Sequence, residues 1–110
     1  MFLNHTKITD AGLANLKKLK ELSYLDISRN EISDKGIEEV VQIQSLTQLS
    51  LSNNAISDKG AKFLEKLKEL RYLDITSNKI TSESGKVFVK LSYLTNLYLS
   101  HNKISKEAVE

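Results

Sequence analysis

The sequence predicts an α/β solenoid: a short right-handed arc with parallel β-strands on its concave face and α-helices on its convex face. Asparagines stand at 30, 54, 78 and 102, a constant step of 24 residues, and a fixed period in this range is typical of solenoids. Apolar and polar residues alternate before each asparagine, which indicates a short strand with one buried face. Apolar residues then recur at steps of three, which favours a helix. Because a helix needs about 10 Å of lateral room and a strand about 4.8 Å, the stack should curve with the strands inside.

The period divides residues 1–110 into a single predicted domain of about four and a half repeats. Each strand is joined to the next by a long crossover, so successive strands should pair in parallel. Strands are predicted near residues 2–4, 24–27, 48–51, 72–75 and 96–99. Helices are predicted near residues 10–20, 34–44, 58–68 and 82–92.

Polar columns follow each predicted strand. The asparagines are expected to hydrogen-bond backbone groups of the turn in their own and neighbouring repeats, which forms a ladder of hydrogen bonds along the solenoid. Thr6 occupies the asparagine position of the first repeat, so the ladder is expected to be weaker at the N-terminal end. Glycines in the first helical turn are expected to let neighbouring helices approach closely, with Ser84 replacing them in the last repeat. The glycines are Gly12, Gly36 and Gly60, and the hydroxyl residues expected to be helix N-caps are Thr9, Ser33, Ser57, Thr81 and Ser105.

The C-terminal end of the solenoid is expected to be poorly shielded, because solenoid ends normally need a polar cap. This applies to Leu97, Leu99, Ile104 and Val109, with Val87 and Val89 adding to the edge. Fraying or a truncated chain is the favoured interpretation. End-to-end contact between copies, or a partner that supplies the cap, is the alternative.

Composition excludes several classes of function. The net charge is +2, and lysines are interspersed with glutamates, which does not give the one-sided basic stripe of a nucleic-acid-binding protein. No apolar run approaches the roughly 20 residues of a membrane span, and the start Met1-Phe2-Leu3 lacks the regions of a secretory signal. The absence of cysteine fits a reducing compartment.

Catalytic and metal sites are not predicted. His5 and His101 fall four strands apart, roughly 19 Å, which is too far for a shared metal or a catalytic pair. Asp26 and Asp74 fall two strands apart, roughly 10 Å, slightly beyond the usual range for paired glycosidase carboxylates. No nucleophile elbow, phosphate loop or zinc-helix motif occurs. We therefore predict no enzyme activity, metal or cofactor.

The pattern L-x-x-L-x-L-x-x-N-x-I resembles that of leucine-rich repeats. The stretches TDAGLANL at 9–16 and SDKGAKFL at 57–64 resemble the GALA-type class, a bacterial 24-residue repeat whose helices begin Asp-x-Gly-Ala-x-x-Leu. That resemblance implies a protein-recognition surface, sometimes used for inhibition, in an effector injected into host cells or another intracellular bacterial protein. The implied location is the cytosol of the bacterium or the host. Members that act as ubiquitin-ligase adaptors carry an F-box, which this chain does not have the length or composition to contain.

A binding surface is predicted where strand side chains point away from the core. Exposed tyrosines among small polar residues and carboxylates are typical of protein-binding surfaces, although tyrosine is also simply a good strand former. The strand face offers only some 300 Å², whereas a stable interface takes about 800 Å² per partner, so the rim after the strands must contribute. The two aspartates would suit a basic patch on the partner. The predicted partner-binding residues are Phe2, Tyr24, Asp26, Arg29, Gln48, Ser50, Asn53, Tyr72, Asp74, Asn96, Tyr98 and His101.

These observations favour a non-catalytic module that binds one protein through its concave face, with inhibition by masking the partner's active site as a further hypothesis. The alternative is a substrate-recognition part of a larger bacterial effector, of the ubiquitin-ligase adaptor type or another, whose second domain is absent from this sequence. An intact reading frame that ends at Glu110 would argue against the alternative.

Overall fold

Four short strands in the described part of the chain form one parallel sheet, in the order β1-β2-β3-β4. The computed structural model describes residues 1–4 and 7–103, and of Lys17 the backbone only. The strands are β1 (Tyr24–Asp26), β2 (Gln48–Ser50), β3 (Tyr72–Asp74) and β4 (Asn96–Tyr98). Leu25, Leu49, Leu73 and Leu97 are neighbours across the sheet, so each repeat aligns with the next at the 24-residue step. Phe2 extends the sheet through a single parallel bridge to Asp26.

The helices are shorter than the sequence predicted. They are α1 (Asp10–Leu13), α2 (Asp34–Val40), α3 (Asp58–Phe63) and α4 (Gly85–Phe88). They are accompanied by 3₁₀ turns at Leu16–Lys18, Leu64–Lys66 and Ser82–Ser84. Apolar residues at steps of three match the three-residue turn of a 3₁₀ helix, in which side chains three apart are eclipsed. The repeat therefore tightens into 3₁₀ geometry where longer α-helices were expected.

The core lies between the sheet and the helices. Leu25, Leu49 and Leu73 are fully buried, and so is the isoleucine after each asparagine turn in the second and third repeats, Ile32 and Ile56. Fully burying an aliphatic side chain of this size stabilises the fold by about 2 kcal/mol. Stacking the repeats thus gives one continuous apolar core in a body that measures 39 × 26 × 19 Å.

The asparagine prediction is confirmed. Asn54 donates through Nδ2 to the carbonyl oxygens of Leu51 (3.0 Å), Ser52 (3.2 Å) and, in the preceding repeat, Ile27 (3.1 Å). Its Oδ1 accepts from the backbone N–H of Ile32 at 3.0 Å, also in the preceding repeat. Because the amide offers two donors and an acceptor, one side chain satisfies backbone groups of two turns at once. Thr6, the predicted weak start of this ladder, lies outside the described residues.

The hydroxyl column does not cap the helices as predicted. Ser33 and Ser57 occupy the N-cap positions of α2 and α3, yet neither side chain accepts a hydrogen bond from its own helix. Each hydroxyl instead donates to an aspartate of the preceding repeat, Ser33 to Asp10 and Ser57 to Asp34. A carboxylate is a stronger acceptor than a neutral group, and the hydroxyl therefore bonds across the repeat boundary. Thr81 alone, among the described N-cap residues, also accepts from its own helix, from the N–H of Glu83 at 3.3 Å.

Two glycines make room for these aspartates. A Cβ atom added to Gly36 or Gly60 would collide with the carboxylate of Asp10 or Asp34 in the preceding repeat. In the last repeat Ser84 takes the glycine position, and its hydroxyl donates to Asp58. The close approach expected between helices at these glycines therefore also makes room for an aspartate side chain of the preceding repeat. Gly12 differs, since its nearest neighbour is Ile8 of its own repeat.

The C-terminal end is partly shielded. Leu97 and Leu99 are half-buried where the equivalent residues of earlier repeats are fully buried. Val89 is 80% exposed, as predicted for this edge, but Val87 is only 5% exposed and belongs to the core. Val87 was predicted at the edge because its column holds the polar residues Asn15 and Glu39 in the first two repeats. The prediction was wrong because one repeat earlier the column holds Phe63, an apolar residue packed against the core. Ile104, Ser105 and Val109 lie outside the described residues.

Candidate protein-binding surface

The concave face is built from two columns of strand side chains. The pairing register aligns the first column, Tyr24, Gln48, Tyr72 and Asn96, and in the second it aligns Asp26, Ser50, Asp74 and Tyr98, with Phe2 bridged to Asp26. Alternate residues of a strand point to opposite faces, so the buried leucines between the columns fix both on the side away from the core. The predicted strand residues are therefore brought side by side on one face.

Aromatic rings pack in two pairs at opposite ends of this face. Phe2 and Tyr24 make an edge-on contact with ring centroids 5.1 Å apart, and Tyr72 and Tyr98 make a tilted contact at 5.4 Å. Both geometries are favourable for aromatic rings. Phe2 is nevertheless 72% exposed and Tyr98 44% exposed. In each pair, therefore, a half-buried tyrosine, Tyr24 or Tyr72, packs against a ring that stays exposed to water.

Two carboxylates stand between the aromatic pairs, and each is held by the residue two positions after it, just beyond its strand. Asp26 accepts from the N–H of Ser28 at 3.0 Å and from the Ser28 hydroxyl at 2.6 Å. Asp74 accepts from the N–H of Thr76 at 3.0 Å. These local bonds fix the orientation of both side chains before any partner arrives. Neither carboxylate forms an ion pair within the described residues, whose ion pairs include Glu83–Lys86 and Glu65–Lys90 near the helices.

The carboxylates affect the neighbouring phenols. Burial raises the pKa of Tyr24 above its ordinary value of 10.0, and the charge of Asp26 raises it further. Burial is also the largest cause of the raised pKa of Tyr72, and the charges of Asp74, Tyr98 and Asp26 raise this pKa further, in that order. A nearby negative charge disfavours the phenolate, which is also negative. The middle of the concave face is therefore a region of negative potential.

The rim beyond the strands has a repeated backbone turn. Arg29, Asn53, Ser77 and His101 all have positive φ angles, from 56° to 57°. This left-handed conformation is uncommon for residues other than glycine and reverses the chain between strand and helix. Arg29, Asn53 and His101 are exposed, so the predicted rim residues are accessible beside the strand columns.

Two features of the surface were not in the predicted site. Lys7, with φ 63°, lines a shallow cleft at the rim together with Arg29, Glu31, Asn30 and Asn53. The sequence contained a signal for Lys7, because it shares a 24-residue column with Glu31, Lys79 and Lys103, two residues after the rim column of Arg29 and His101. Tyr93 is 55% exposed but lies before β4, outside the concave columns, with the Arg71 guanidinium 5.9 Å from its ring centre.

Within the described ranges 1–4 and 7–103, no three histidine, cysteine or acidic side chains converge as metal ligands would. None of the helices in the same ranges combines the length and the hydrophobicity needed to cross a bilayer. His5, one of the two histidines considered for chemistry, lies outside the described residues.

Several solved structures resemble this one. An internalin from Listeria monocytogenes, InlF, is 35% identical with a TM-score of 0.77, and the match covers 86% of this chain and 26% of that one. Internalin C2 from the same organism is 30% identical with a TM-score of 0.79, covering 94% of this chain and 42% of that one. A leucine-rich-repeat protein of Leptospira interrogans is 30% identical with a TM-score of 0.64, covering 87% of this chain and 24% of that one. The chain thus spans less than half the length of each of these structures.

No curated protein sequence matches the chain. The family model for the leucine-rich repeat matches residues 1–56 and 44–104, which together span nearly the whole sequence. The predicted α/β solenoid is confirmed by this match and by the solved structures. Proteins of this kind generally mediate protein–protein interaction and are typically not catalytic. The chain belongs to the leucine-rich-repeat family.

Proposed function

We propose that this protein is a non-catalytic module that binds another protein through its concave face and the adjoining rim. The observation that carries the proposal is the presence of two ordered aromatic pairs on an open sheet face, Phe2 with Tyr24 and Tyr72 with Tyr98, in each of which one ring is exposed. Aromatic side chains on a rigid support offer a large contact area and lose little conformational entropy on binding. Local hydrogen bonds pre-order Asp26 and Asp74 in the same way.

The partner would lie across the strands and their C-terminal rim. The strand columns alone are smaller than the roughly 800 Å² per partner that a stable interface buries. Arg29, Asn53 and His101, exposed and next to the columns, would supply the remaining area. The binding set is the one predicted from the sequence, with Lys7 added at the rim.

A module without catalytic groups acts on its partner by occupying surface, and masking the partner's active site is the simplest form of this action. The proposed setting is the bacterial cytosol, or the host cytosol for a secreted effector of the GALA-like class. Support for that class is the Asp-x-Gly start of three helices, in which Asp10 and Asp34 occupy the space that Gly36 and Gly60 leave open.

The test is a pull-down with mass spectrometry from bacterial and host lysates. Wild type is compared with a variant carrying Tyr24→Ala, Tyr72→Ala and Tyr98→Ala, shown by circular dichroism to be folded. Tyr93→Ala is the matched control, because Tyr93 is also exposed, at 55%, but lies outside the concave face. We expect a protein that wild type and the control retain and the triple variant loses. Equal retention by all three contradicts binding through the concave face.

Inhibition is tested separately once the partner is known. If the partner has an activity, saturating module should reduce it, and the triple variant should not. An unchanged activity at saturation would reject masking of the active site but would not contradict the proposed binding.

A second candidate is a substrate-recognition part of a larger effector. It is favoured by the lengths of the similar structures, of which this chain spans 26%, 42% and 24%. In that case, repeats that bind the partner would present it to another domain of the same polypeptide. An intact reading frame ending at Glu110 would contradict this candidate.

A further inference from the structure

We infer that the middle of the concave face receives a single arginine or lysine side chain of the partner protein, inserted over Ser50 between the two aromatic pairs. This inference rests on the proposed function, since it specifies the partner's chemistry at the same surface.

The register of the sheet sets the dimensions of this site. Asp26 and Asp74 are each paired with Ser50, one strand away on either side. A group above Ser50 therefore lies about 5 Å from the strand axis of each carboxylate. In the adjoining column Tyr24 and Tyr72 flank Gln48 in the same way, so a tyrosine also stands on each side, its ring packed on Phe2 or Tyr98.

A cation is compatible with both the carboxylates and the tyrosines beside this site. Carboxylates attract it directly, and a cation is also attracted to an aromatic face within about 6 Å of the ring centre. An arginine guanidinium is planar and can stack on a ring while it donates to a carboxylate. Ser50 is a small residue between larger neighbours, so the backbone beneath the site is not covered by a bulky side chain.

The charges of the described residues confine the cation to this place. Asp26 and Asp74 lack a basic partner there, and their effect on the pKa of Tyr24 and Tyr72 marks a negative region between the aromatic pairs. The rim next to it has the opposite sign, because Lys7, Arg29 and, two residues after the rim column, Lys79 and Lys103 outnumber Glu31. A basic side chain of the partner is therefore attracted to the strands and repelled by the rim, and this determines where on the surface it binds.

The test uses the full chain and a small probe. Isotope-labelled protein is titrated with Nα-acetyl-arginine amide and, as the matched neutral probe, with Nα-acetyl-citrulline amide, and backbone amide shifts are followed by NMR. We expect saturable shifts centred on Gln48 and Ser50 with the arginine probe, and an affinity lower by about tenfold for the citrulline probe. Equal shifts from both probes, shifts centred on the helices, or no saturable shifts overturn the inference.

Variants supply the second measurement. Asp26→Asn with Asp74→Asn preserves side-chain size, and we expect it to abolish the preference for the arginine probe. Glu38→Gln, an exposed acid on α2, is the control and should leave the preference unchanged. A preference that survives in the double variant overturns the inference.

The two proposals can fail separately. Loss of a captured protein from the tyrosine variant, together with no preference for the arginine probe, would support the proposed function and reject the cation site. Specific binding of the arginine probe, with no protein captured through the concave face, would support the site's chemistry and reject the proposed function.

Discussion

Asp58 joins the third and fourth repeats, and its replacement provides a quantitative test of the aspartate–hydroxyl contacts. Its carboxylate accepts from the N–H of Thr81 at 2.9 Å, from the Thr81 hydroxyl, and from the hydroxyl of Ser84 at 2.5 Å. Ser84 is only 1% exposed, so water cannot readily replace a lost acceptor. A hydrogen bond to a charged group contributes about 1.5–3 kcal/mol where both groups are buried, and less here because Asp58 is half-buried.

We expect Asp58→Ala to lower the free energy of unfolding by about 3 kcal/mol, and Asp58→Asn by about 1–2 kcal/mol because the amide oxygen still accepts one bond. Glu38→Gln, an exposed acid without such contacts, should stay within about 0.5 kcal/mol of wild type. Urea unfolding followed by circular dichroism measures all four proteins. Because contacts in a solenoid are local, Asp58→Ala should also unfold the last repeat before the rest.

The pH dependence supplies an independent check. Burial raises the pKa of Asp58, but the hydrogen bonds from Ser84 and Thr81 outweigh it and hold the pKa below its ordinary value of 3.8. A carboxyl group with a lowered folded-state pKa stabilises the fold above its unfolded pKa, and this contribution is lost as the pH falls through the folded pKa. The stability difference between wild type and Asp58→Asn should therefore be constant above about pH 5 and shrink below 3.8. Parallel pH profiles, or an Asp58→Ala variant as stable as Glu38→Gln, would refute the reasoning.

Four further predictions concern other parts of the fold and the surface. Asn54→Ala should cost about 2–4 kcal/mol in urea unfolding because backbone donors and acceptors of two turns lose their partner, and a loss below 1 kcal/mol would speak against the ladder. Gly60→Ala should destabilise by about 1–3 kcal/mol, since the new methyl group collides with an aspartate of the preceding repeat; a neutral result would show that the carboxylate moves aside. Ser77→Gly should stabilise by about 0.5 kcal/mol in thermal unfolding because glycine accepts the φ of 56°, and any destabilisation would contradict a strained turn. Asp26→Asn should lower the pKa of Tyr24 in an alkaline ultraviolet titration while burial keeps it above 10.0, and an unchanged pKa would remove Asp26 as a cause.

The repeat pattern was sufficient to predict the sheet and its core. Side-chain direction alternates in a strand, and a 24-residue step with no insertion leaves only one register, so Leu25, Leu49 and Leu73 had to be neighbours. The same logic placed Tyr24 and Tyr72 on the concave face. Whether these residues bind a partner remains a proposal that the pull-down must test.

Other predictions failed where a residue's partner lies in another repeat. Ser33 and Ser57 follow the N-cap pattern, but a charged acceptor one repeat away takes their hydroxyl donors. Val87 was assigned to an exposed column from polar residues in distant copies, although its nearest copy in the stack has Phe63. The predicted helices were too long because apolar residues at steps of three do not distinguish an α-helix from a 3₁₀ turn.

The sequence by itself determined the solenoid, the parallel register and the face on which each strand residue lies, because these follow from the period and from the geometry of single strands. Tertiary structure alone decided which polar groups join across the repeat boundaries, how the rings of Phe2 with Tyr24 and of Tyr72 with Tyr98 pair, and that Asp26 and Asp74 stand between these pairs without a basic partner in the described chain. The physical reason is that these contacts depend on distances between residues about 24 positions apart. Local propensity contains no information on such distances until the repeats are stacked.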